Sequence, residues 1–250
     1  MVSRETNQTP EPSSLRLIFT LTFAGLLSGT AIVGIYNTTL PMITANKARA
    51  LQSAVFKVLP GIATFHGIGY RDGGLFIQQP PKPGTDTIYA GFDEKDNLVG
   101  YALPGEGPGF QDTIKLLYGY RPNDGHITGM EVLESRETPG LGDKIYKDPA
   151  FVASFRGLDP HPAIAAVKKG KRSAPNEIDA ITGATISSVA VVEIINDTHA
   201  RWLPRLTNPA DGNSVSRIYQ RFRENRQEPK DPVPSELSPE PEENSLPPLP

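Results

Sequence analysis

The sequence predicts an α+β domain carried by one N-terminal transmembrane helix and followed by a disordered, Pro-rich tail. Three observations lead there. Leu17–Tyr36 is a run of twenty residues without a charge, long enough at ~1.5 Å per residue to cross a hydrocarbon core of ~30 Å. From about Ile62 the apolar residues fall in short runs broken by Gly, Asp and Asn, and helical spacing dominates only later. Strands first and helices afterwards suit an α+β domain better than a doubly wound sheet. From about Glu228 the chain has eight prolines and six acidic residues against one lysine, a composition that cannot bury a core.

Taken in order, residues 1–14 precede the span, which is placed at 15–37. The rival reading is a cleaved signal peptide, but its apolar region would be shorter and followed by a small-x-small site, which is not clear here. Gly25 and Gly29 form a G-x-x-x-G pair beside Ala24 and Ser28. That spacing lets another membrane helix approach, although glycine is common in membrane helices anyway. Arg4 and Arg16 before the span are matched by Lys47, Arg49 and Lys57 after it, so charge does not orient it. A separate juxtamembrane helix is expected over 38–61, where Ala48, Leu51, Val55 and Val58 recur at helical steps and Pro60 helps to end it.

The domain proper is set at 62–207. Strands are expected at Ile88–Phe92 and Leu98–Leu103, joined by a polar turn, and at His126–Ser135 after an Asp124-Gly125 turn. Helical spacing marks Pro149–Phe155, Ala163–Lys169 and Ser187–Leu203. Residues 208–227 are a linker or a terminal helix. The tail, 228–250, is either a solubilising extension or a docking tether.

Composition narrows the chemistry. The 38% apolar and 21% charged content is that of a chain with a packed core, and the net charge of −3 argues against a nucleic-acid partner. Lys168, Lys169, Lys171 and Arg172 form one basic cluster, read as a solvated loop. The absence of cysteine excludes iron–sulfur clusters, disulfides and thiol nucleophiles. His66, His126, His161 and His199 are scattered without metal-ligand spacing, so no metal site is expected. "GYRDGG" and "GEGPGF" match no nucleotide-binding fingerprint and read as turns. A domain this poor in reactive side chains depends on a cofactor if it is catalytic.

Two stretches remain. In "DAITGATISS" (179–188), Asp179 and Thr182 are good N-cap residues, and Val191, Val192, Ile195 and Trp202 continue one helical face. Thr185 then falls in or just before the first turn, where unpaired N–H groups and the helix dipole favour an anion. Gly183 and Ala184 leave room for close approach. A plain helix start and an anion site both satisfy this pattern. The second stretch, Glu137-Thr138-Pro139-Gly140-Leu141-Gly142, is a tight loop at a strand end. Its apolar Leu141 needs something to cover, either a flat ligand or another part of the domain.

Together and in this order, the two stretches resemble the flavin-binding subunits of Rnf-type electron transport complexes, most closely the G subunit. The C subunit of the sodium-pumping NADH:quinone reductase is a relative. The likeness covers roughly residues 15–205 and includes the membrane helix, the juxtamembrane helix, the E-T-P-G-L-G loop and the signature D-x-x-[S/T]-G-A-T. The resemblance implies an FMN held by a phosphoester to Thr185 and installed by a separate flavin transferase using FAD. Asp179, Thr182, Gly183 and Ala184 are then the signature that presents the threonine. Ser187 stands where related sequences often have a hydroxyl residue, and Ser187 or Ser188 would bond the phosphate or cap the helix. Glu137, Thr138, Leu141 and Gly142 fall in the cofactor-binding loop. Lys144 would steady an anionic reduced flavin or is simply a solvated loop lysine.

The resemblance also implies a redox subunit without substrate chemistry of its own. Its partners would be the other subunits of a membrane complex, the flavin transferase and the lipid bilayer. Residues 1–14 would lie in the cytoplasm, and the domain on the periplasmic side of a bacterial inner membrane. Two alternatives stand beside this reading: a covalent flavoprotein of a different electron-transfer chain, and a tethered binding domain without redox work.

Overall fold

The computed structural model describes residues 13–78, 86–207 and 214–227. The tail expected at 228–250 and most of the N-terminal segment lie outside the described residues. The chain divides into two units, residues 1–57 and 58–250.

Among the described residues the first unit is built on one helix, α1, Ser14–Val58, 45 residues long with Pro41 inside it. The two helices expected at 15–37 and 38–61 are continuous. Pro41 removes a single backbone donor, and no glycine or Asx turn follows to divert the chain. Thr38 Oγ1 and Thr39 Oγ1 instead fold back on helix carbonyls, donating to Ile35 O at 2.9 Å each. The helix stops where Pro60 was expected to help end it, and Gly61 follows at φ +92°. Its apolar stretch is long enough to cross a membrane by length and composition, and none of that stretch is buried.

The second unit is α+β. Six antiparallel strands lie in the order β2-β1-β3-β4-β5-β6: β1 Thr64–Arg71, β2 Gly74–Gln78, β3 Thr87–Phe92, β4 Leu98–Pro108, β5 Thr113–Arg121 and β6 His126–Glu134. Two short helices, α2 Lys144–Lys147 and α3 Pro149–Ala153, follow the sheet. Asp148 caps α3, accepting from Ala150 N at 2.9 Å, with Pro149 in the first helical position. Then come β7 Ala165–Val167 and β8 Glu177–Asp179, which pair in parallel, and the helices α4 Thr185–Thr207 and α5 Val215–Gln227.

The helix expected at 163–169 does not form, and its middle, Ala165–Val167, is strand. Only five apolar residues, Ala163 to Val167, precede the lysines, and Gly170 at φ +75° ends the run before a second turn could form. Pairing with β8 satisfies the backbone instead, as Ala165 N–H donates to Asn176 O at 2.9 Å.

The core forms between the sheet and α4. Val191, Ile195 and Trp202 are fully buried against Leu103, Ile114, Leu116 and Tyr118. "GEGPGF" is not a turn but runs out of the end of β4. A Cβ on Gly105 would lie 2.6 Å from Thr198 Oγ1 and 2.8 Å from Ile194 Cγ2, and one on Gly107 2.8 Å from Ile194 Cγ1. These bare positions let α4 lie close on the strand. At the far edge α5 packs its apolar face down, with Tyr219 stacked on Phe92 at 3.8 Å and bonded through its hydroxyl to Asp96 at 2.8 Å.

Candidate functional site

The start of α4 is built by a four-residue turn. Ile181, Thr182, Gly183 and Ala184 close it with a bond from Ala184 N–H to Ile181 O at 2.9 Å, and Gly183 takes φ +83°. That is the type II geometry, whose third position needs glycine. Ser188 N–H then donates to Ala184 O at 2.9 Å, which makes Ala184 the N-cap residue. Neither Asp179 nor Thr182 caps the helix, contrary to the sequence expectation. Asp179 ends β8 and accepts from Gly170 N–H at 2.8 Å, while Thr182 is exposed in the turn.

An alanine cap offers no oxygen to the first free N–H groups, a deficit of about 1 kcal/mol against a Ser or Asp cap. Ser188 compensates elsewhere: its Oγ accepts from Ile181 N–H at 3.1 Å and donates to Ala184 O at 2.9 Å, holding the turn against the helix. Thr185, the first helical residue, is exposed. A hydroxyl is thus presented to solvent at a helix N-terminus that no side chain among the described residues caps, where the helix dipole favours an anion.

The E-T-P-G-L-G loop meets this turn directly. Leu141 is 50% exposed, and its Cδ2 would be 3.7 Å from a Cβ on Gly183. Beneath, Ser187 Oγ donates to Glu137 Oε2 at 2.5 Å, and Gln111 N–H donates to Glu137 Oε1 at 3.0 Å. Thr138 Oγ1 donates to the Gln111 side-chain oxygen at 2.8 Å. Gly142 lies against this cluster, since a Cβ there would be 2.5 Å from Glu137 Oε2 and 2.9 Å from Ser187 Oγ. Burial pushes the Glu137 carboxyl up. The Ser187 hydroxyl and the N–H groups of Gln111, Asp112 and Phe110 outweigh it and hold the group below the ordinary carboxylate range.

Asp143 is the loop's second buried carboxylate. It accepts from Lys147 Nζ at 2.6 Å and from Gly140 N–H at 2.8 Å, and the Lys147 hydrogen bond chiefly holds it low. Lys147, not Lys144, is therefore the lysine bonded within the loop. Lys144 opens α2 and is half-buried.

The structure thus brings Glu137, Thr138, Leu141, Gly142, Gly183, Ala184, Thr185 and Ser187 into one region and leaves Asp179 outside it, as a fastening for the basic loop at 168–172. Phe110, Gln111, Asp143, Lys147 and Ile186 join the region without having been expected from sequence. The signal available for the first two was the break after Gly107-Pro108-Gly109. From Val58 onward, the exposed large apolar side chains among the described residues are Phe110, Leu133, Leu141, Tyr146 and Ile186. Three of them, Phe110, Leu141 and Ile186, lie on the three segments joined here, a concentration typical of a ligand or partner surface.

Comparison with known proteins agrees in extent with this geometry. Residues 109–200 match the family of FMN-binding domains, a span that includes the 109–112 turn, the loop and the start of α4. The chain is 30% identical over 181 residues to the G subunit of the ion-translocating oxidoreductase complex of Methanosarcina acetivorans, covering 72% of this chain and 90% of that one. It is 32% identical over 146 residues to the G subunit of the Na(+)-translocating ferredoxin:NAD(+) oxidoreductase complex of Acetobacterium woodii, covering 56% and 68%. A crystal structure of the C subunit of the Na(+)-translocating NADH-quinone reductase from Parabacteroides distasonis superposes with a TM-score of 0.48 at 22% identity, covering 58% of this chain and 78% of that one.

Proposed function

This chain belongs to the family of G subunits of ion-translocating oxidoreductase complexes, and from that premise we propose that it is the electron-carrying flavoprotein subunit of an Rnf-type complex, with FMN esterified through its phosphate to Thr185. The observation that carries the proposal is the exposed Thr185 hydroxyl at an uncapped helix N-terminus, flanked by the exposed apolar side chains of Leu141 and Ile186. The flavin would supply reversible electron transfer, chemistry that none of the chain's own side chains provides.

The residues present suit that group. A phosphodiester keeps one negative charge, which the free N–H groups of the first α4 turn would stabilise. Gly183 holds the turn that exposes the threonine, while Leu141, Ile186 and Phe110 offer apolar cover to a flat ring. In maturation the Thr185 Oγ–P bond forms as the pyrophosphate bond of FAD breaks; AMP leaves and the hydroxyl gives up its proton. That step belongs to a separate flavin transferase, which would read Asp179 through Ala184. Lys144, beside the loop, would offer a cation to a reduced flavin. Further partners are the other subunits and the bilayer crossed by α1, with the domain on the periplasmic side of the inner membrane.

Mass spectrometry of protein co-expressed with a flavin transferase tests the attachment. The peptide containing Thr185 should gain about 440 Da, the mass of an FMN residue on a threonine hydroxyl, and Thr185→Ala should abolish the gain. An unmodified Thr185 under those conditions refutes the proposal.

A further inference from the structure

Among the described residues, the buried carboxylates are Glu137 and Asp143, and both belong to one loop. They are handled differently. Asp143 has a lysine partner at 2.6 Å. Glu137 has no cation partner among the described residues, and its oxygens are satisfied by neutral donors from two other segments, the Ser187 hydroxyl and the N–H groups of the 110–112 turn. A buried carboxylate held this way keeps its net charge in the protein interior. Its donors come from residue 187 on α4 and from residues 110–112, so one side chain fastens three stretches that are far apart in sequence. Each stretch carries an exposed apolar residue beside the fastening: Phe110, Leu141 and Ile186.

We propose that Glu137 is the positioning residue of the flavin site: its carboxylate clamps the Phe110–Asp112 turn and the E-T-P-G-L-G loop onto the helix that begins at Thr185, and its uncompensated negative charge lowers the potential of a flavin held there. The second half rests on the reading of Thr185 as the attachment residue; the first half does not. Glu137 faces inward, away from any ligand, and acts through the segments it joins. Uptake of two electrons and one proton from a donor protein leaves a flavin with one additional negative charge. A fixed carboxylate beneath the first turn of α4 opposes that charge.

Glu137→Gln removes the charge at nearly constant shape and turns one acceptor into a donor that faces a donor. Glu137→Asp keeps the charge. In the full-length, detergent-solubilised protein without flavin, hydrogen–deuterium exchange should rise in Glu137→Gln at residues 110–112 and 185–188 together, with β1 to β3 unchanged. In the flavinylated protein, a dithionite titration with mediators should give Glu137→Gln a more positive midpoint than wild type, with Glu137→Asp returning toward it. Wild-type exchange at either segment in Glu137→Gln overturns the clamp, and a wild-type midpoint overturns the charge effect. Should Glu137→Gln not fold, Ser187→Ala replaces it in the exchange measurement. Faster exchange at 110–112, which Ser187 reaches only through Glu137, supports the clamp; a change confined to α4 overturns it. Failure of the Thr185 reading shows separately, as an unmodified wild-type peptide, and leaves the exchange result standing.

Discussion

Acidification should unlatch α4 through His199. This histidine is 7% exposed, with Nδ1 3.5 Å from the Tyr118 hydroxyl and Nε2 without a hydrogen-bond partner among the described residues. Its ring stands edge-on to Tyr120 at 4.9 Å and to His161 at 5.6 Å. Burial, with a smaller contribution from His161, lowers its pKa from 6.5 to about 4. The folded value lies below the unfolded one, so the unfolded chain takes up the proton first as pH falls. The stability this represents is intact above the unfolded value and is lost as the pH drops through 6.5 toward 4. A gap of about 2.5 between the two values, at ~1.36 kcal/mol each, sets a ceiling of about 3.4 kcal/mol, of which about 1.8 falls between pH 7 and pH 5. That is a melting shift of at most about 4–7 °C in a domain of this size. Thermal unfolding followed by circular dichroism at both pH values, in wild type and His199→Leu, reads the difference in slope. Equal slopes would refute the reasoning, whatever the variant does to absolute stability.

Other outcomes follow from single contacts. Gly183→Ala forces a side chain into φ +83° and should cost about 1–2 kcal/mol in thermal unfolding; an unchanged melting temperature would contradict the turn geometry. Gly105→Val drives methyl groups into Ile194 and Thr198, so its urea midpoint should fall by the equivalent of about 1–3 kcal/mol or more, and a wild-type midpoint would mean α4 does not lie where described. Ser187→Ala strips one donor from a buried carboxylate and should cost about 1.5–3 kcal/mol in the same measurement, against about zero if Glu137 were solvated. Asp96→Ala releases Tyr219 and Arg223 and should speed limited proteolysis within α5; cleavage at the wild-type rate would argue against that anchor.

Much of the fold was legible where periodicity is long. Val191, Val192, Ile195 and Trp202 share one helical face over three turns, and all four are buried. The E-T-P-G-L-G loop was legible because glycine and proline there answer to backbone geometry, whereas the turn before Thr185 was read as a helix cap by Asp179 or Thr182, since those residue types suit both roles. Ala163–Val167 was not, since five apolar residues fit a strand and a helix turn equally well. The glycines of β4 read as a loop because composition cannot distinguish a turn from a strand stripped for close packing. Glu137 was assigned to the site, but its inward role was hidden: an acidic residue in a loop is ordinarily solvated, and its donors lie 26 and 50 residues away.

The bare face of β4 at Gly105 and Gly107 has a mechanical consequence. Ile194, which fills it, stands nine residues beyond Thr185, about 13 Å along the helix. The helix is therefore gripped on its shaft while its tip stays open to solvent. A cargo fastened to that tip would inherit a stationary base, and its remaining freedom would reside in the few torsions of the link itself. Polarised fluorescence decay of such a cargo would then show a restricted local wobble superimposed on the tumbling of the whole unit. Loosening the grip at residue 105 would widen that wobble without any change at the point of attachment.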